Sequence, residues 1–291
     1  VALPSALVHA RSVPGPGGAL GAVLVHGLGG SSLNWTDLLL EIGPEVGAVA
    51  PDLPGFGASD PPVDGDYRPA AVAEMVAELI ESRCESPVHL IGNSMGGAIA
   101  LVVAARRPDL VRSLALVSPA LPRYTAMLTN IHLPVLTVPK VGEAVLDRYL
   151  SRQPALRMQA TIEACFADPA RLHPQRLAEA IAETAARDAL PYARDAYLQS
   201  LRGLLATYRD ASDQRPWRLA EQVRCPVLVL HGRADRLVDP RGADRASRHF
   251  GNVRVVVLPD TGHVAMQEHP ARVAAHWRAF VAEMVDRPGQ S

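Results

Sequence analysis

Short apolar runs alternate with longer helix-patterned stretches through the first part of this 291-residue chain, and that alternation restricts the fold more than any other feature. The runs, at residues 22–25, 46–50, 88–91 and 114–117, are bounded by Gly, Pro or Asp and have the length and content of buried strands. Between them, residues 70–82 place Val72, Met75, Val76, Leu79 and Ile80 on one face. Residues 96–106 are apolar almost all round, which suits a helix buried against a sheet. The pattern predicts a mostly parallel sheet covered by helices on both faces. Strand signals stop from Leu121 to Arg215, where helical stretches at 174–187 and 193–208 lie among many prolines. They resume at 227–230 and 253–258, followed by a closing helix over 270–285 with Pro270 in its first turn. A structureless loop of about 95 residues would be exceptional. Residues 121–215 are therefore expected to form a mostly helical unit set into an α/β domain built from 1–120 and 216–291, with a frayed tail at 287–291.

Gly92-Asn93-Ser94-Met95-Gly96-Gly97 follows one of these strands and opens a helix. That is the context in which a G-x-S-x-G sequence projects a serine from a tight turn. Gly92 and Gly96 remove the side chains that would clash across the turn. The serine then sits at a helix N-terminus, where unpaired N–H groups favour negative charge. Upstream, His26-Gly27-Leu28-Gly29-Gly30 leaves the strand at 22–25 as a glycine-rich loop. Bent towards Ser94, it would let the Leu28 N–H join that of Met95 around an oxyanion. His26 is expected to support this loop rather than to act as a base.

Asp235 and His263 each lie just past a strand, in the loops after 227–230 and 253–258. Ligands of open α/β sheets bind at that carboxyl edge. Serine is a weak nucleophile and needs a base within hydrogen-bond reach. An imidazole can take and return the proton, and a carboxylate can fix its tautomer. Ser94, Asp235 and His263 supply those three groups in that order. Asp239 is the alternative acid. Asp52 and Asp60 read as turn-forming side chains, and His231 and His269 as structural.

Together these motifs resemble the α/β-hydrolase superfamily, over nearly the whole chain outside the middle insertion. Residues 51–60, Pro-Asp-Leu-Pro-Gly-Phe-Gly-Ala-Ser-Asp, are similar to the loop that follows the family's fourth strand. The resemblance implies Ser94 as nucleophile, Asp235 as the acid, His263 as the base, and oxyanion donors at Leu28 and Met95. Asp235 is preferred over Asp239 because Gly232-x-x-Asp235 matches the family's spacing. A helical cap is implied between strands six and seven, and residues 121–215 fit it. Met127, Leu133, Met158 and Phe166 are candidates for an apolar acyl pocket or for cap core.

The implied activity is cleavage of a small to medium apolar carboxylic ester by a serine hydrolase of carboxylesterase or lipase type, without a cofactor. Carbon–carbon hydrolases of meta-cleavage products share the Gly-Asn-Ser-Met-Gly-Gly turn, but this chain departs from them at Gly30 and Val264. A thioesterase acting on a carrier-bound acyl chain, and a ligand-binding relative without turnover, are the other readings. Twenty-nine basic and thirty acidic residues leave no positive field for nucleic acid. No apolar run reaches the roughly 20 residues of a membrane helix. Scattered histidines lack metal-ligand spacing. Three scattered cysteines and no leader-like opening suggest the cytoplasm, although the sequence starts at Val1 rather than Met, which leaves room for an earlier segment. Nothing in the sequence speaks to oligomeric state.

Overall fold

A computed structural model describes residues 1–122 and 135–285. Among these residues seven strands form one sheet in the order β1-β3-β2-β4-β5-β6-β7. They are β1 (Ala10–Val13), β2 (Ala22–Val25), β3 (Ala48–Pro51), β4 (Val88–Asn93), β5 (Val111–Val117), β6 (Val227–Gly232) and β7 (Val253–Leu258). Only β1 runs antiparallel to its neighbour, β3. The pairs from β3 through to β7 are all parallel. The six parallel strands are those expected from the apolar runs; β2 to β6 are buried almost throughout, because a strand covered on both faces needs continuous hydrophobicity, while β7 is the other edge strand and is only partly buried. Strand β1, Ala-Arg-Ser-Val, is an edge strand with its two central residues exposed, so it carries no apolar run to detect.

The run expected at 46–50 divides differently. Helix α1 (Thr36–Val46) extends through Val46, and β3 starts at Ala48. Gly47, with φ 66°, makes the turn between them. Helix α1 itself was not legible as a helix, since Gly43 and Pro44 interrupt its last turns. Helices α2 (Pro69–Arg83) and α3 (Met95–Arg106) cover the sheet as their patterning requires. Ten of the residues of α3, from Met95 to Ala104, are buried, which explains its lack of a polar stripe.

Among the described residues no strand occurs between β5 and β6. That stretch holds α4 (Val141–Leu150), α5 (Pro154–Cys165), α6 (Pro174–Asp188), α7 (Ala193–Thr207) and α8 (Pro216–Gln222). Counted on this sheet, the insertion follows the fifth strand and the 51–60 loop follows the third. The expected positions, between strands six and seven and after the fourth, are thus each one strand too high for this sheet, and ahead of β1 lies an isolated bridge between Ala2 and Leu7. After β6 come α9 (Ala243–His249), β7, the short α10 (Ala265–Glu268) and α11 (Pro270–Val285). Hydrophobic cores lie on both faces of the sheet. One gathers α2, α3 and α8, the other α1 and α11 around Trp35 and Trp277. Among the described residues no helix is long and apolar enough to cross a membrane.

Candidate active site

Ser94 occupies the turn between β4 and α3 with φ 53° and ψ −119°. A residue other than glycine held there stores roughly 1–3 kcal/mol of strain. The surroundings explain why the conformation persists. A Cβ on Gly96 would collide with the carbonyls of Val25 and His26, and one on Gly92 with the carbonyl of Gly96. Both glycines are thus required by close backbone approach, as the motif predicted. Gly27 also lies against this turn, its Cβ position 3.0 Å from the Ser94 Cβ.

The loop after β2 is fixed by His26. The Leu53 N–H donates to His26 Nε2 at 2.8 Å, so Nδ1 carries the proton and donates to the Gly27 carbonyl, also at 2.8 Å. In a trans peptide the N–H lies opposite the carbonyl. The Leu28 N–H is therefore turned away from His26. Neither it nor the Met95 N–H donates to any described residue. From α6, Arg187 Nη1 donates to the Gly29 carbonyl at 2.5 Å and anchors the loop's far side.

His263 and Asp235, both buried, meet at 2.9 Å between Nδ1 and Oδ2. An ionised carboxylate only accepts, so Nδ1 donates to it, and in the neutral imidazole Nε2 is then the acceptor. The other carboxylate oxygen of Asp235 accepts from the N–H groups of Leu237 and Val238 at 2.8 and 2.9 Å. Burial raises the Asp235 pKa, but His263 and the two N–H donors outweigh it and hold the carboxyl below its ordinary value. Asp239 instead caps the turn at Pro240–Gly242 and pairs with Arg241 at 2.9 Å. Asp52, expected as a turn-forming side chain, instead ties distant segments together, accepting from the N–H groups of Ser32 and Ala58 at 2.6 and 2.9 Å and meeting His9 Nδ1 at 2.8 Å.

Sequence reasoning missed Asn93. Its side-chain amide donates to the carbonyls of Val117 and His263, at 3.0 and 3.2 Å, tying the serine turn to the histidine loop. The only local signal was a polar residue inside a buried strand end.

Ser94, Leu28 and His263 face one cavity of about 1240 Å³. Its walls include Met158 and Phe166, which also pack into the hydrophobic core, together with Tyr197, Leu204 and Trp217 from the later helices. Met127 and Leu133 lie outside the described residues. Arg157, Arg176 and Arg187 add a polar wall, and Arg157 is itself ion-paired with Asp188.

His26, His89 and His231 are also buried, and burial pushes each pKa from 6.5 down to about 4. The native state therefore holds them neutral while the unfolded chain protonates below pH 6.5. Their stabilisation is present above that pH and lost as pH falls towards 4. By pH 4.5 each is expected to cost about 2–3 kcal/mol. Urea midpoints measured at pH 7.5 and 4.5 should differ accordingly; equal midpoints would contradict it.

Comparison with known proteins agrees with this architecture. "Lipase 1" of Psychrobacter immobilis is 27% identical over 265 residues, covering 89% of this chain and 75% of that one. A pimeloyl-[acyl-carrier protein] methyl ester esterase of Neisseria meningitidis is 27% identical over 258 residues, covering 89% and 92%. The crystal structure of a membrane phospholipase A described as a bacterial virulence factor superposes with a TM-score of 0.78 at 26% identity, over 99% of this chain and 86% of that one. The residue pattern of the family described as alpha/beta hydrolase fold matches residues 23–270, spanning β2 to the start of α11 and every motif above, and the chain belongs to that family.

Proposed function

We propose that this protein is a serine hydrolase that cleaves small to medium apolar carboxylic esters through an acyl-enzyme on Ser94. The observation that carries this reading is the buried Asp235–His263 pair, its Nδ1 bonded to the carboxylate, facing the same cavity as a serine on a strained turn. The names of the lipase and methyl ester esterase relatives point to the same bond type.

In the proposed cycle Ser94 Oγ attacks the ester carbonyl carbon as His263 Nε2 takes its proton. The Leu28 and Met95 N–H groups, which have no other described acceptor, bind the resulting oxyanion. His263 then protonates the leaving alcohol oxygen as the C–O bond breaks. Water attacks the acyl-enzyme, His263 takes its proton, and that proton returns to Ser94 Oγ as the acid leaves. Residues 121–215 act as a cap over the core formed by 1–120 and 216–291 and supply most of the outer cavity wall. The cysteines, all partly buried free thiols, fit a reducing, cytoplasmic setting.

Initial rates on p-nitrophenyl esters from acetyl to dodecanoyl test the reading. Turnover with an optimum at short to medium chains is expected, abolished by pretreatment with a fluorophosphonate that labels Ser94. Labelling without ester turnover would move the assignment to carbon–carbon or carrier-bound thioester substrates. Absence of both would remove it.

A further inference from the structure

Glu268 closes α10, and its carboxylate is completely buried. No step of the proposed reaction uses it, yet it is among the most heavily hydrogen-bonded side chains described. Oε2 accepts from the Gly262 N–H at 2.5 Å, immediately before His263. Oε1 accepts from the N–H groups of Ala167 and Asp168, at 3.0 and 3.1 Å, and from Arg171 at 3.3 Å. Those three residues belong to the insertion, just past α5. A buried carboxylate is retained only where such donors compensate its desolvation.

The same two segments meet directly. The His263 N–H donates to the Cys165 carbonyl at 2.6 Å. A Cβ on Gly262 would collide with that carbonyl, so the backbones touch. Arg171 also donates to the Asp260 carbonyl, and Asp260 holds φ 51°. The loop from Asp260 to His263 is thus bound on one side by the Asp235 loop, through the Ala234 N–H to the Thr261 carbonyl at 2.9 Å. On the other side residues 165–171 bind it, and Glu268 bridges the two.

We infer that Glu268 is a positioning residue for His263, holding the histidine loop in register by bolting it to the 165–171 segment of the insertion. This rests on the proposed role of His263. Reaction rate depends steeply on such register, since a misplacement of about 1 Å can cost 10²-fold. Glu268 does not line the cavity, so its loss is expected to act on kcat and leave KM nearly unchanged.

Glu268→Gln is the isosteric test. The amide keeps one acceptor, and its NH2 must face a backbone N–H whichever way it turns. With p-nitrophenyl butyrate, kcat is expected to fall about 30- to 100-fold with KM within about threefold. Amide hydrogen exchange at Ala167, Asp168, Gly262 and His263 should accelerate while the rest of the sheet stays protected. Arg171→Gln, at a half-exposed position, covers the case in which Glu268→Gln does not fold; it should lose about 3- to 10-fold in kcat with the same local exchange signature. Wild-type kcat in either folded variant overturns the inference, as does a KM rise matching the kcat loss or a uniform rise in exchange. A wild type that neither hydrolyses esters nor labels at Ser94 defeats the functional reading instead, and the exchange pattern still decides whether Glu268 holds the loop.

Discussion

Replacing Ser94 with alanine is expected to lower kcat on p-nitrophenyl butyrate by about 10⁴- to 10⁶-fold while KM changes little. The reason is local. The cavity walls and the Leu28 and Met95 N–H groups proposed for the oxyanion are features that the substitution does not touch. Alanine keeps the Cβ and therefore the same positive-φ strain as serine, so the thermal midpoint should stay within a few degrees. What disappears is the attacking oxygen. Residual turnover then measures what the oxyanion site and binding contribute without a nucleophile. A variant with rates within tenfold of wild type would exclude Ser94 as the nucleophile.

Asp235→Asn should cost about 10⁴-fold in kcat, for a reason the hydrogen bonds make specific. One oxygen of Asp235 accepts from both Leu237 and Val238 N–H groups. In the variant the amide oxygen must stay with those two donors, so the NH2 turns towards His263 Nδ1. His263 is then driven to the tautomer with its proton on Nε2, which cannot accept from Ser94. Asp239→Asn is the control. Asp239 caps a turn and pairs with Arg241, so its loss should leave kcat within about threefold. Equal losses in the two variants, or a tenfold or smaller loss in Asp235→Asn, would overturn the assignment of the acid.

Much of this was present in local sequence. Gly92, Ser94 and Gly96 mark a strand-to-helix turn because close backbone approach leaves no room for larger residues there. Strands β2 to β6 were visible because burial on both faces demands near-unbroken hydrophobicity over a few residues, and the partly buried edge strand β7 was visible from its run of valines. The loops bearing Asp235 and His263 could be placed at strand ends by the same means. Edge strand β1 and helix α1 escaped, one because it is half exposed and the other because Gly43 and Pro44 break its pattern.

The amino-acid sequence by itself thus determined the sheet's parallel strands, the serine turn and the identity of the polar residues brought to the sheet's carboxyl edge. Each follows from periodicity and small-residue spacing within a few neighbours. Tertiary structure alone decided how Asp235 is held against His263, how Asn93 reaches the histidine carbonyl, and that Arg187 and Glu268 bond to the two loops around the serine. Those partners come from distant parts of the chain, and their pairing depends on how strands register and helices pack, which no local pattern encodes.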